Sequence, residues 1–260
     1  MGYKFTNESF SFVHQLYNNG HITNKRFIII NNSSTKGGAI YFGGLPLDIT
    51  HSLTNLKHIT IKCDNNYNNW GSTLTTITVG NKVYHFNEYA QFHLSEYIVI
   101  RSKRFVQLMY QQVLGEYFGK DGKCHMVNTY EKEEVIYCQK EVIDNMGDIS
   151  FVIGNAVVKF AFKKLFNCVG NEYNSLFNLD YGFYGDDTFS FGFPFTDMFK
   201  MISFDYEKEE IELGVDNEEI MMWQLSEGKE WNNRLYVYIG NSIMCLVCSI
   251  YLMVVLKMRK

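Results

Sequence analysis

Residues 189–214 read FSFGFPFTDMFKMISFDYEKEEIELG. Three short runs stand out in this stretch: FSF at 189–191, MISFD at 201–205 and EIEL at 210–213. Each is built from aromatic or β-branched residues at strand length, which predicts three strands. The same vocabulary recurs upstream, at 26–31 (RFIIIN), 39–42 (AIYF), 58–62 (HITIK), 74–79 (LTTITV), 82–86 (KVYHF), 135–138, 149–153 and 157–162. Gly37-Gly38, Gly43-Gly44, Asn68-Asn69 and Gly80-Asn81 punctuate these runs as turns. Two segments depart from the pattern. Residues 8–19 place Phe10, Val13, Leu16 and Tyr17 at helical spacing before Gly20, and residues 103–118 place Phe105, Leu108, Met109 and Val113 on one side of a helix. Many short strands, few short helices and no fixed-period repeat predict an all-β domain of sandwich or barrel type.

The composition suits that reading. Of 260 residues 46% are hydrophobic and 16% aromatic, with only 2 prolines, so the chain can bury a large core and is no Pro-rich linker. Charged residues at 20% are too few for a disordered chain. Twenty-four basic against 28 acidic residues leave a net charge of −4, and no global basic field exists to attract nucleic acid.

The C-terminus is different in kind. Residues 235–256 (LYVYIGNSIMCLVCSIYLMVVL) carry no charge and are followed by Lys257, Arg259 and Lys260. A hydrocarbon core of ~30 Å needs ~20 helical residues, so this run predicts a single transmembrane helix. Tyr236, Tyr238 and Tyr251 stand near its ends, and the basic tail predicts a cytoplasmic C-terminus with the rest of the chain lumenal or extracellular. Residues 215–234, charged and carrying two tryptophans, read as a juxtamembrane stalk. The N-terminal MGYKFTNESF has no apolar core of a secretory signal, and its nominal myristoylation pattern (Gly2, Thr6) conflicts with a lumenal start.

Cys245 and Cys248 fall inside the predicted span, leaving Cys63, Cys124, Cys138 and Cys168. An even number outside the cytosol suggests two disulfides, with three pairings open. Zinc is the poorer reading, because no C-x-x-C knuckle occurs outside the span. Asn7, Asn31 and Asn32 each open an N-x-Ser sequon and are glycosylation candidates.

The order of motifs resembles the pepsin-like aspartic proteases. Residues 11–49 (SFVHQLYNNGHITNKRFIIINNSSTKGGAIYFGGLPLDI) look like that family's helix, interlobe strand and Gly-rich hairpin closing on Gly-Gly-x-Asp, here Gly43, Gly44, Leu45, Pro46, Leu47 and Asp48. Trp70 with 76–81 (TITVGN) resembles its Trp strand and Val-Gly turn, and 135–162 resembles a Cys-to-Ile-Gly stretch of the second lobe. The opening stretch is the strongest match: Gly192, Phe195, Phe199, Phe204, Asp205, Tyr206, Ile211 and Gly214 fall in register with the family's terminal motif. The resemblance runs from about residue 9 to 214. It implies one lobe of a bilobal β-barrel fold. Residues 1–30 then represent the end of the first lobe and the interlobe strand, and 31–214 the second lobe. The stalk, the span and the tail at 257–260 follow. It also implies a disulfide between Cys138 and Cys168, closing a loop of about 30 residues worth about 3–4 kcal/mol by the chain-entropy model. Cys63 and Cys124 are left as a possible second pair.

By resemblance the activity would be aspartic-type endopeptidase, but the chemistry is missing from the sequence. Aspartic proteolysis needs two carboxylates about 3 Å apart sharing one proton, each from an Asp-Thr/Ser-Gly turn. No such turn occurs, and no Asp lies between Asp64 and Asp121. The flanks place the slot within 90–100, with His93 at the expected Asp position and Leu94 and Ser95 at the two following turn positions. Glu96 is the nearest carboxylate, and no Gly follows it. No first-lobe Asp turn precedes the helix at 8–19, and homodimerisation would bring together two imidazoles rather than two acids. The expectation is therefore a catalytically inactive or partial member, without catalytic residues, metal or cofactor. Its predicted partners are the membrane, through 235–256, and a polypeptide or a complementary protease lobe. A non-catalytic single-span β ectodomain for polypeptide or partner binding is the alternative. Asp180, Asp186 and Asp187 lack calcium-loop spacing, the histidines lack H-E-x-x-H, and Ser95 lacks a G-x-S-x-G frame.

Overall fold

The computed structural model describes residues 11–32, 37–64, 70–94, 100–119, 122–128, 133–177, 179–180, 189–216 and 218–225. The strands, in chain order, begin with β1 (Arg26–Asn32), β2 (Gly37–Phe42), β3 (Lys57–Lys62), β4 (Gly71–Val79), β5 (Lys82–Phe92) and β6 (Ile100–Arg101). Next come β7 (Cys124–Asn128), β8 (Glu133–Gln139), β9 (Asp148–Ile153), β10 (Ala156–Ala161), β11 (Phe166–Val169) and β12 (Glu172–Ser175). The last are β13 (Leu179–Asp180), β14 (Phe189–Phe191), β15 (Met201–Asp205), β16 (Glu210–Val215) and β17 (Ile220–Gln224). Among the described residues five short α-helices interrupt them: α1 (Phe12–Asn18), α2 (Leu47–Ser52), α3 (Lys103–Leu108), α4 (Lys140–Asp144) and α5 (Phe193–Thr196).

Three sheets result, in the orders β2-β1-β15-β16-β3, β17-β10-β9-β4-β5-β14-β6 and β11-β12-β8-β13, with β7 along the opposite edge of β8. The first sheet joins the N-terminal strands to the C-terminal hairpin, so the chain closes on itself. Its two faces are apolar for different reasons. Phe27 stacks on Phe204 at 4.6 Å, and Trp70 meets Phe204 edge-on at 5.2 Å, which anchors one face to the main core. On the other face Ile28, Leu53 and Met201 form a smaller cluster with Leu45, Ile49 and Leu56 around α2. The main core is dominated by phenylalanines, among them Phe92, Phe105, Phe151, Phe160, Phe191 and Phe195, all fully buried. Burying each such ring contributes about 1.5–3 kcal/mol relative to exposing it.

The helix expected over 103–118 is three pieces. After α3 the chain widens into a π-helical turn at Met109–Val113, closed by the Leu114 N–H on the Met109 carbonyl at 2.8 Å, then tightens into a 3-10 turn at Gly115–Phe118. The extra residue in the wide turn lets Phe105, Met109, Val113 and Leu114 all reach the core. The segment expected from 215 as a stalk instead carries the end of β16 and then β17, whose Ile220–Gln224 pair antiparallel with Ala156–Phe160 of β10. Ile220 is buried there, so this segment belongs to the domain.

The cysteines also pair differently from the resemblance-based expectation. Cys124 and Cys138 are direct neighbours across β7 and β8, with Cα atoms 4.1 Å apart, and they form the disulfide. Cys168 lies opposite Tyr173 on β12, and Tyr173 lies opposite Cys138. Two strand spacings of about 4.8 Å separate Cys168 from Cys138, beyond the roughly 7 Å that a bridge tolerates. Cys168 is an exposed free thiol, and Cys63 is buried near the end of β3, outside any disulfide.

Among the described residues no helix is long and apolar enough to cross a membrane. The predicted span at 235–256, the tail, the rest of the stalk, Cys245, Cys248 and Asn7 lie outside the described residues.

Candidate active site

The segment in which the sequence placed the catalytic slot follows β5. The last three residues of β5 run parallel to β14, pairing Ala90 with Phe189, Gln91 with Ser190 and Phe92 with Phe191. On its other side β14 pairs antiparallel with β6, Phe191 with Ile100 and Ser190 with Arg101. β14 is thus inserted between the end of β5 and β6, parallel to the first and antiparallel to the second. This is a ψ-shaped arrangement, and a second parallel contact, the isolated bridge between Ile100 and Phe177, flanks it.

Several contacts fix the loop's base. The Phe92 N–H donates to the Trp70 carbonyl at 2.8 Å, and the His93 N–H donates to the Phe191 carbonyl at 2.7 Å. The buried Gln91 amide donates from Nε2 to Ser190 Oγ at 3.0 Å, tying β5 to β14 through side chains as well. Gly71 allows β4 to press on this junction: a Cβ there would stand 2.2 Å from the Ala90 carbonyl oxygen and 2.8 Å from the Gln91 Cα. Phe191 is stacked on Phe195 at 4.1 Å and packs on Phe92 at 5.4 Å. On the far limb Ser102 Oγ accepts the Phe105 N–H at 3.2 Å and starts α3.

His93 and Leu94, both half-buried, occupy the first two positions beyond β5, while Ser95 and Glu96 lie outside the described residues. The strands β5, β14 and β6 carry one carboxylate, Glu88, and Arg104 holds it at 2.9 Å. The other histidines do not converge on His93. His58 pairs with Glu212 at 3.1 Å, His125 stacks on Tyr137 at 5.4 Å, and His14 meets Tyr206 edge-on at 5.0 Å. Among the described residues no three His, Cys, Asp or Glu side chains gather as a metal site would require.

Beside the turn lies an apolar groove of about 280 Å³, which sequence reasoning did not anticipate. Its floor is the row Ile29, Ile40 and Ile202 from three neighbouring strands, and its rim is Leu94 and Phe193. The continuous apolar run of β1 does not reveal this row, because which residues lie side by side across strands depends on strand register. Asn31 closes one end and donates from Nδ2 to the Phe199 carbonyl at 3.0 Å. That inward amide bond disfavours Asn31 as a glycan acceptor. Burial pushes the nearby Tyr206 hydroxyl above its ordinary 10.0, and hydrogen bonding with Ser11 and Trp70 opposes this more weakly.

Comparison with known proteins matches this architecture. A family model described as eukaryotic aspartyl protease matches residues 1–214. The crystal structure of an aspartic proteinase from Irpex lacteus superposes with a TM-score of 0.59 at 14% sequence identity, covering 80% of this chain and 61% of that one. At that identity the likeness concerns the fold, and the chain spans about three-fifths of the length of that proteinase. A search of curated protein sequences returns no match. With a mostly-β fold, a ψ-shaped loop and a family match over most of its length, the chain belongs to the eukaryotic aspartyl protease family.

Proposed function

We propose that this chain is a non-cleaving, membrane-tethered member of the aspartyl protease family that binds polypeptide or a complementary lobe. The observation that carries this reading is the position of His93, bound through its backbone to Phe191 where β5 ends beside β14. By resemblance that position belongs to the catalytic Asp. An imidazole there cannot take its place in a dyad, because the mechanism needs one shared proton between two acids. Leu94, in the place of the Thr or Ser, supplies no hydroxyl to orient a neighbour and instead rims the apolar groove. That groove supports the binding half of the proposal: apolar residues from three strands, from the turn at Leu94 and from α5 offer a partner lobe an unusually hydrophobic seat. The anchoring half rests on the uncharged run at 235–256 and the basic residues after it.

The test is direct. The full chain, purified in detergent micelles, is incubated with casein and with an unstructured peptide library between pH 3 and 6. No cleavage above background is expected. Turnover that disappears in a His93→Ala variant would overturn the proposal. Resistance of the chain to carbonate extraction from membranes, lost on deleting 235–256, checks the anchor.

A further inference from the structure

The helix α1 lies over the same sheet face as the apolar groove, and its contacts give its direction. Phe12, at its start, meets Phe42 edge-on at 5.3 Å. His14 meets Tyr206 at 5.0 Å, and Lys25 sits over the Tyr17 ring at 4.9 Å. In the sheet Phe42 lies opposite Phe27, while Lys25 and Tyr206 lie just beyond the terminal pair of Arg26 and Asp205. The groove floor, Ile29, Ile40 and Ile202, lies on the other side of Phe27 and Phe42. The helix therefore runs away from the groove, and the chain enters its first turn from the groove side.

Ser11 fixes that entry. It is the N-cap, extended at φ −79° and ψ 122°, and it is buried. Its side chain caps no helical N–H and is hydrogen-bonded with Tyr206 instead. Phe10, the first residue outside the described part of the chain, thus departs from a buried position. An apolar residue at this place often packs on the fourth residue of its own helix, but that residue is Gln15, polar and exposed. Two extended residues span about 7 Å, the spacing that separates Phe42 from Ile40 along β2. With Phe12 on Phe42, an extended continuation sets Phe10 over Ile40. Apolar surface is bare on both sides of that step, with Phe12 52% and Ile40 50% exposed. The groove's polar groups are already engaged, Asn31 with the Phe199 carbonyl and Thr196 Oγ1 with the Phe193 carbonyl at 2.8 Å. An apolar ring is therefore the occupant that complements it.

We propose that the side chain of Phe10 occupies this groove over Ile40, so that any ligand of the groove has to displace the chain's own N-terminal segment. The contact shares the seat proposed for a partner but does not rest on that proposal, and its readout needs neither partner nor cleavage. The full chain, in detergent micelles, is prepared with p-benzoylphenylalanine in place of Phe10, irradiated and mapped by mass spectrometry. A cross-link within the chain to a peptide carrying Ile29, Ile40 or Ile202 is expected. Ile40→Asp puts a charge into the apolar floor and should abolish that cross-link. Leu47→Ser, on α2 across the sheet, should leave it as in the parent. If the larger ring is excluded by its size, Phe10→Cys combined with Ile40→Cys in a Cys168→Ala background should form an intrachain disulfide. Absence of both products, cross-links only elsewhere or to a second molecule, or a cross-link unchanged by Ile40→Asp overturns the proposal.

Discussion

Replacing Cys124 by alanine separates the two pairings that this fold and its family resemblance suggest for Cys138. In the structure Cys124 and Cys138 close a loop with a sequence separation of 14. The chain-entropy model assigns a loop of that length about 3 kcal/mol at 25 °C. For a domain of this size a urea slope of about 3 kcal/mol/M is reasonable, so the unfolding midpoint of Cys124→Ala should fall by about 1 M. Cys168 is exposed and lies two strands away from Cys138, so Cys168→Ala should stay within about 0.5 kcal/mol of the parent. Both variants and the parent, produced under oxidising conditions, are unfolded in urea and mapped by mass spectrometry without reduction. The parent map should contain a peptide joining Cys124 to Cys138. A peptide joining Cys138 to Cys168, or a large midpoint shift in Cys168→Ala with none in Cys124→Ala, would refute the register argument.

Two further predictions concern the base of the ψ-shaped loop. Gly71→Ala forces a methyl group against the Ala90 carbonyl and the Gln91 Cα, both backbone, and should cost about 1–3 kcal/mol in urea unfolding. Tyr206 is held above its ordinary 10.0 chiefly by burial, so it stays protonated in the fold at pH values where the unfolded chain has begun to lose that proton. Its contribution is therefore fully present below pH 10.0 and is lost as pH rises through the folded value. Urea midpoints between pH 8 and 11 should fall less steeply in Tyr206→Phe than in the parent.

Sequence alone located some elements to the residue and misjudged others for identifiable reasons. Strands 189–191 and 201–205 match β14 and β15 at both ends, because every residue in them except Asp205 is apolar or small. The β5 strand was expected to stop at 86 but runs on to Phe92. The continuation NEYAQF contains Asn87, Glu88 and Gln91, which read as loop residues. In the fold Arg104 satisfies Glu88 and Ser190 satisfies Gln91, and the latter partner is 99 positions away. Local pattern cannot anticipate such distant satisfaction, and this is where the slot of interest begins. The helix at 103–118 was legible as a helix but not as a π-widened one, since an inserted residue leaves the apolar spacing almost unchanged. The cysteine pairing failed on lateral register, which spacing along the chain does not encode.

On the proposed reading of His93 the junction of β5 and β14 does without the family's acid, and none of the contacts described at that junction requires a carboxylate. The His93 N–H bond to Phe191 is a backbone interaction that any residue except proline could make. Phe191 is fixed by Phe195, by Phe92 and by Phe151, the last at 5.6 Å, all of them buried in the core. The Gln91–Ser190 bond and the close approach at Gly71 secure the same junction one residue earlier. A carboxylate at position 93 would add a desolvation cost that the fold itself does not need. Stability and catalysis therefore rest on different atoms in this lobe. Survival of the architecture carries no implication of cleavage, and the property that the same packing does preserve is a surface, the apolar groove beside the turn.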